Sequence, residues 1–466
     1  MARTPTTRWQ IGAHRFAVRR LDHALVLGDT SMRHDPMRSS SRATIVGVVL
    51  TVLILAGCAA LAFIRPAVKI GDASIVMDEN SGSLYVAENE VLHPAFNLAS
   101  ARLFVGNADD PVAVDADEIG GRARGAAIGI AGAPQSLPVT SDALAWSVCE
   151  SRSDSGVGGI TTVSVARAGA APNADRPSFG ADDAVLWRRD GLDYLVYSGV
   201  RARVDMANTA VTRALGLDDA IPNPVGRGLF DAVPEVPEIV PPIIDGAGEP
   251  TTYPLAGRVV GSVVSVDLGD RSRHYVVLRD GIQAIGSASA QLLRFADSAG
   301  RVGVDAVPPD VIARAPVTAA PLALRTFPER PPQLRADDSA TCVEWMPPRD
   351  EAGDRAAVTL SSGATPSGPA VSLSSADGVG DGLDVFSMDP GTGIHVIPTG
   401  MAADDARRDF PYYVADTGVR FGVPSADDAA ALGIGEPVLA PWNIVQLLPP
   451  GPALTRADAR TAHDGS

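Results

Sequence analysis

Lysine is nearly missing from this chain. Of 39 basic residues only Lys69 is a lysine, and the rest are arginine. A Walker A phosphate loop needs a lysine followed by Ser or Thr, because the ammonium reaches the nucleotide phosphates while the hydroxyl holds Mg²⁺. Lys69 precedes Ile70, so a P-loop ATPase is excluded. Positive charge as a whole is short: the formal net charge is −16, which leaves no basic surface able to compete for a nucleic-acid backbone. Aromatic residues make up only 5%, whereas 46 Gly and 37 Pro favour many short elements joined by turns over long helices. Cysteine occurs three times, at positions 58, 149 and 342, with no CxxC or HxxxH pairing to suggest zinc. GxSxG, HExxH and a GxGxxG ahead of a helix are also absent, so no nucleophilic, zinc-protease or dinucleotide signature appears. The sequence therefore predicts no catalytic residue, no metal ligand and no cofactor.

The charge that is present is unevenly placed. Residues 1–42 carry eight arginines against three aspartates, a formal +5, so the remainder carries −21 of the total −16. Between Arg42 and Arg65 lie twenty-two uncharged residues, ATIVGVVLTVLILAGCAALAFI. As a helix they span roughly 33 Å, enough for a hydrocarbon core of about 30 Å. The positive-inside rule then puts 1–42 in the cytosol, 43–64 in the membrane, and about four hundred residues outside. A cleaved signal peptide would have a shorter apolar run and a shorter basic lead. Leu55-Ala56-Gly57-Cys58 resembles a lipoprotein processing box, but Cys58 lies inside the apolar run and reads as a small residue of the span. The arm "TTRWQIGAHRFAVRRLDHALVLGD" interleaves Trp9, Ile11, Phe16, Val18, Leu21, Leu25 and Val26 with arginines. An amphipathic helix there suits either anionic lipid or a docked protein.

Beyond the span one unit recurs four times: "LYVAENEVLHPAFNLASARLFVG" from Leu84, "YLVYSGVRARVDMANTAVTRALG" from Tyr194, "YVVLRDGIQAIGSASAQLLR" from Tyr275 and "YVADTGVRFGVPSADDAAALG" from Tyr413. Each reads as a β-hairpin feeding a short helix, with Asn97, Asn208, Ser289 and Ser425 as expected N-caps. Proline-rich chain after the second and fourth copies is expected to return along its unit. The histidines are scattered, and the acidic run from Asp109 to Glu118 lacks a calcium-loop pattern, so it reads as a solvated turn. "SRSDSGVGG", at 151–159, reads as a loop.

Between the repeats stand Trp146-Ser-Val-Cys149 and, mirrored, Cys342-Val-Glu-Trp345. Outside the cytosol such a pair is expected to be a disulfide. It would close a loop of 193 residues, worth roughly 5 kcal/mol in the chain-entropy account. The tryptophans are then candidate packing partners of the bridge. The Val-, Thr- and Trp-rich runs around both cysteines predict one central sheet, with repeats two and three on one side and repeats one and four on the other.

The opening "RTPTTRWQIGAHRFAVRRLDHALVLGDTSMRHDPMRSSSRA", "LAGCAALAFIRP", "LYV…LHPAFNLASARL", "GAPQSLP", "WSVC" and "LLPPGPALTR" together resemble the EccB family, membrane subunits of actinobacterial type VII (ESX) secretion systems. The resemblance covers essentially the whole chain. It implies an inner-membrane subunit acting with EccC, EccD, EccE and a mycosin-like protease, and self-associating through its periplasmic region. It also implies repeats similar to cell-wall-binding modules, hence a peptidoglycan contact, and carries the family disulfide to Cys149 and Cys342. ATP hydrolysis proposed for the family finds no Walker A loop here. The expected fold is α+β: one transmembrane helix, then an elongated periplasmic region with a central β-rich core and four hairpin/helix repeats in quasi-twofold arrangement. The expected segments are an arm 1–42, the span 43–64, a first repeat 65–125, core 126–190, a second repeat 191–250, a third 251–333, core 334–375 and a fourth repeat with tail 376–466.

Overall fold

The computed structural model describes residues 7–28, 30, 36–64, 70–140, 142, 144–154, 160–169, 177–255, 257–269, 271–296, 304–335, 340–347, 356–363, 368–378, 381–401 and 409–463. The chain divides into two units, Met1–Lys69 and Ile70–Ser466.

The first unit is helical. Helix Arg8–Leu27 starts behind Thr7, whose backbone N–H donates to the Gln10 side chain at 2.9 Å, and stops at Gly28 in the left-handed conformation. Helix Pro36–Ile64 is the one described helix long and apolar enough to cross a membrane, with a stretch Arg42–Ala60 of mean hydropathy 2.5. Arg42 thus lies within this helix rather than before it, because Pro36 at the first position already fits the helical φ. Arg65 lies outside the described residues.

The second unit is α+β, with five sheets among the described residues. Four are the repeats, and each contains more than the hairpin and helix legible in sequence. Each is a three-stranded meander, a helix, and a short strand that returns parallel to the first, giving the order 3-2-1-4. The meanders are Ile75–Asp78, Leu84–Glu88, Val91–Ala95; Asp183–Arg189, Leu192–Tyr197, Val200–Val204; Val263–Asp267, Ser272–Val277, Ile282–Ile285; and Gly393–Thr399, Tyr412–Ala415, Arg420–Gly422. The helices are Leu98–Val105, Thr209–Leu215, Ser287–Ala296 and Ala426–Leu432. Crossing from one sheet edge to the other, each helix covers a single face, which satisfies the apolar side of both layers at once.

Three of the four expected caps hold their helices. The side chains of Asn97, Asn208 and Ser425 accept backbone N–H bonds from Ser100, Ala210 and Asp428. Ser289 is not a cap: its helix begins at Ser287, so Ser289 is its third residue and is buried. The fourth repeat is also shifted by one residue. In the first three repeats the Tyr (Tyr85, Tyr194, Tyr275) faces the first-strand residue that also meets the return strand, and in the fourth that place belongs to Tyr412. The proline-rich returns are present as read: Glu235–Ile239 pairs in parallel with Val200–Val204, and Pro450 bridges Arg420.

The fifth sheet is the central one, ordered Ala357–Ser362, Ala340–Met346, Ala145–Asp154, Ile160–Gly169, Val385–Ser387, Val371–Ser372. Both cysteine segments lie in it. Residues 151–154, read as part of a loop, instead extend a strand, while 155–159 lie outside the described residues. Asp183–Arg189, read with the core, opens the second repeat's sheet, and Val385–Ser387, read with the fourth repeat, belongs to the centre. The C-terminal strand Ala462–His463 pairs with Ala127–Ile128 and so completes the first repeat's sheet.

Candidate functional site

The mirrored WSVC and CVEW are a register signal. In an antiparallel pair, residues facing each other occur in reversed order, so Cys149 opposite Cys342 forces Trp146 opposite Trp345, and both pairings are observed. The two sulfurs are bonded, the Cα atoms are 4.0 Å apart, and both residues are fully buried. The tryptophans do not pack on the bridge. A spacing of three is odd, and side chains alternate along a strand, so tryptophans and cysteines project from opposite faces of the sheet.

The tryptophan face is the apolar one. Trp146, Val148, Val343 and Trp345 are buried in one cluster with Ala166, Leu360 and Phe386 of the same sheet, with Tyr194 and Phe230 of the second repeat, and with Tyr412, Ile444 and Val445 of the fourth. Among the described residues neither buried indole N–H has a hydrogen-bond partner, a cost that the large apolar area of the two rings offsets. The cysteine face carries the buried Ser147, Glu344 and Ser361, while on the tryptophan face the buried polar residues Glu150, Thr341 and Ser362 stand in one row beyond the apolar ones.

The second and fourth repeats clamp the central sheet with the same three residues. Gly199-Val200-Arg201 and Gly418-Val419-Arg420 each turn a hairpin and begin its returning strand. Both glycines have positive φ, 76° and 81°. They also press on the central sheet: a Cβ on Gly199 would stand 2.5 Å from the Val358 carbonyl oxygen, and one on Gly418 would stand 2.9 Å from Phe386 Cβ. Only glycine satisfies both the conformation and the approach. The arginines then bind the chain that follows the repeat's helix. Arg201 donates to the carbonyls of Phe230 and Val233 and lies 4.0 Å over the Phe230 ring. Arg420 donates to the Leu448 carbonyl at 2.9 Å and lies 5.2 Å from the Trp442 ring.

Two short helices, Arg227–Asp231 and Trp442–Val445, meet over this arrangement, with Asn443 donating to the Asp231 carbonyl. Carboxylates seat the first of them. Glu150, buried on the tryptophan face, accepts the Gly226 N–H at 2.6 Å and the Arg152 guanidinium at 2.8 Å. Asp381 accepts the Arg227 N–H at 2.9 Å and both terminal nitrogens of Arg189. The Arg189 hydrogen bonds hold the Asp381 carboxyl down at about 2, and the same pairing raises Arg189. These carboxylates are structural ties to backbone and arginine.

The remaining repeats attach through helices and through short strands, Ala462–His463 on the first repeat's sheet and Gln333–Leu334 on the second's. Thr209–Leu215 packs on Ser287–Ala296, with Val211, Leu215, Ala288 and Leu292 in one cluster, joining repeats two and three. Ala99 and Leu103 of the first repeat share a cluster with Ala429 and Leu432 of the fourth, and Arg102 donates to the Leu432 carbonyl at 2.9 Å. This is the two-sided pairing read from the sequence. In the second cluster's neighbourhood His395 is buried opposite Tyr413, its Nδ1 2.7 Å from the Gly435 carbonyl, and burial lowers its pKa.

Among the described residues no group of three or more His, Cys, Asp or Glu could hold a metal ion. The functional residues that sequence reasoning missed are the two Gly-Val-Arg triplets, which stood in the repeat strings as a motif shared by copies two and four only.

Comparison with known proteins agrees with this architecture. A family described as type VII secretion system ESX-1, transport TM domain B, matches residues 3–466. The chain is 36% identical to the ESX-3 secretion system ATPase EccB3 of Mycolicibacterium smegmatis, over 98% of this chain and 91% of that protein. It is 33% identical to the ESX-1 secretion system ATPase EccB1 of Mycobacterium tuberculosis, over 98% and 95%. Among solved structures, a chain of the intact ESX-5 inner membrane complex aligns with a TM-score of 0.73 at 32% identity, covering 100% of this chain and 97% of that one. The EccB3 dimer from the ESX-3 core complex aligns with a TM-score of 0.71 at 31% identity, covering 84% and 100%. With one membrane-length apolar helix among the described residues, its four-repeat body and a family match over residues 3–466, the chain belongs to the EccB family of type VII secretion systems.

Proposed function

We propose that this chain is a structural and assembly subunit of an inner-membrane type VII secretion complex, supporting export of small helical proteins without carrying out covalent chemistry. The observation that carries the proposal is the end-to-end likeness to a chain of the intact ESX-5 inner membrane complex. The arginine-rich arm remains in the cytosol, helix Pro36–Ile64 spans the membrane between the flanks Arg42 and Arg65, and residues from Ile70 onward are periplasmic. The segment boundaries expected from sequence then apply, except for the strands that exchange sheets. EccC, EccD, EccE and a mycosin-like protease are its partners, and a relative's dimer supports self-association of the body. The bond between Cys149 and Cys342 serves as the covalent join of the central sheet, which an extracytoplasmic location keeps oxidised.

Purification in mild detergent should recover a motor ATPase and multipass subunits with this chain, and deleting 1–42 should abolish that recovery. Intact complexes after the deletion contradict the proposal. Alkylation of the native chain before reduction should modify Cys58 alone; labelling of Cys149 or Cys342 removes the covalent join.

A second reading, ATP hydrolysis, is favoured by one observation: the relatives are named ATPases. Lys69 cannot serve it through a Walker A loop. Turnover by the purified chain, abolished by a point substitution, would establish it.

A further inference from the structure

Helix Arg8–Leu27 leaves its apolar side chains open: Trp9 is 89% exposed, Leu25 76%, Leu21 65% and Phe16 58%. At 100° per residue, Arg8, Arg15, Arg19 and Asp22 form one narrow stripe, which Val26 continues in the last turn. Trp9, Ala13, Phe16 and Ala17 flank it on one side, and Ile11, Val18, Leu21 and Leu25 on the other. Arg20 falls within the aromatic flank, where its long stem can lie along apolar surface with the guanidinium raised to the polar side. None of the four arginines has an ion-pair partner among the described residues.

Chain length fixes what this surface can reach. Residues 28–35 separate the arm helix from helix Pro36–Ile64, and eight residues span at most about 28 Å. Six further residues, roughly 9 Å of helix, lead to Arg42 and the apolar stretch. The end of the arm helix therefore stays within roughly 40 Å of the hydrocarbon boundary, and the membrane is its permanent neighbour at high effective concentration.

We propose that helix Arg8–Leu27 lies in the headgroup layer of the membrane that the second helix crosses, its two apolar flanks in the acyl boundary and its arginine stripe on anionic phosphates. Lipid is favoured over a protein partner by three features together: an unpaired arginine stripe, an exposed Trp and Phe bordering it, and a tether that keeps the helix within roughly 40 Å of the bilayer. The identity of the leaflet rests on the topology proposed above, whereas the membrane contact itself does not.

The test uses the full chain reconstituted into vesicles of phosphatidylcholine, or of phosphatidylcholine mixed with phosphatidylglycerol. A thiol-reactive fluorophore is placed after Phe16→Cys, and separately after Ala17→Cys, in a Cys58→Ala background. Quenching by acyl-brominated lipid is compared with quenching by aqueous iodide. In the anionic vesicles iodide access should fall several-fold and lipid quenching should rise. High salt, or Arg8→Gln with Arg15→Gln and Arg19→Gln, should restore iodide access. Equal iodide access in both lipid mixtures overturns the proposal. So does protection that appears only when other subunits of the complex are co-reconstituted, which assigns the face to a protein. Protease added to sealed vesicles reads the side separately, so a wrong topology would appear as the wrong side with lipid quenching intact.

Discussion

Repeats two and four share a topology with repeats one and three, yet they serve a different purpose. The first pair contributes Tyr194, Phe230, Tyr412, Ile444 and Val445 to the same cluster as Trp146 and Trp345, and presses Gly199 and Gly418 into the central sheet. The other pair has its own small clusters, around Val76 and Leu92 and around Val264 and Val277, and reaches the rest through helices and short strands. Chain order does not decide the role. The role goes with a triplet at the hairpin turn: Gly-Val-Arg in the inner repeats, where the outer ones have Glu90-Val91-Leu92 and Gly281-Ile282-Gln283. In the third repeat Gln283 stands at the arginine's position and binds both the carbonyl and the N–H of Leu322 within its own repeat, while the first repeat has Leu92 there. In the third repeat Gly281 packs on its own repeat, against the Pro316 carbonyl.

The comparison can be broken most forcefully at the tryptophans. Trp345→Ala should cost about 3–5 kcal/mol in chemical unfolding, because a large fully buried side chain leaves a cavity common to three substructures. The loss should appear in the inner repeats together. Gly199→Ala and Gly418→Ala should each cost about 1–3 kcal/mol from positive φ and collision with the central sheet, whereas Gly82→Ala meets no neighbour and carries only its φ penalty. Arg201→Met or Arg420→Met should cost about 1–3 kcal/mol, since the freed carbonyls stay partly buried; Gln283→Met in an outer repeat, losing the Leu322 contacts, gauges the local equivalent. Smallest is a pH effect at His395. Its folded pKa is lowered by burial, so the unfolded chain binds the proton more readily, and the fourth repeat should lose stability as pH falls through about 6.5. Thermal unfolding across pH 8 to 5 should show this slope, flattened in His395→Gln.

Much of this was legible in the chain. Tyr followed six or seven residues later by a β-branched residue, then Asn or Ser before an Ala/Leu run, specifies hairpin, cap and helix from local chemistry. The return strands were not legible, because runs as short as Asn223–Pro224 or Asp305–Ala306 carry no periodicity and are strands only through their partners; Asp183–Arg189 was legible as a strand but not as the opening of the second repeat. Ser289 misled because "GSASA" offers several start residues, and the sheet, not the serine, fixes where the helix begins. The attachment of Ala462–His463 to the first repeat joins positions more than three hundred apart, beyond any local pattern. The cysteine segments are the instructive case. Their mirror symmetry correctly implies facing residues, while the odd spacing between Cys and Trp already places them on opposite faces, so the tryptophans serve the repeats and the bridge serves the sheet.

Hydrogen exchange followed by mass spectrometry on the oxidised full chain tests the inner and outer distinction directly. Amides of Ala145–Asp154, Ala340–Met346, Leu192–Tyr197 and Gly393–Thr399 should open together at the highest free energy, with Leu84–Glu88 and Ser272–Val277 opening earlier. If repeats two and three instead open as one body, separately from the central sheet and repeat four, the clamp described here does not exist.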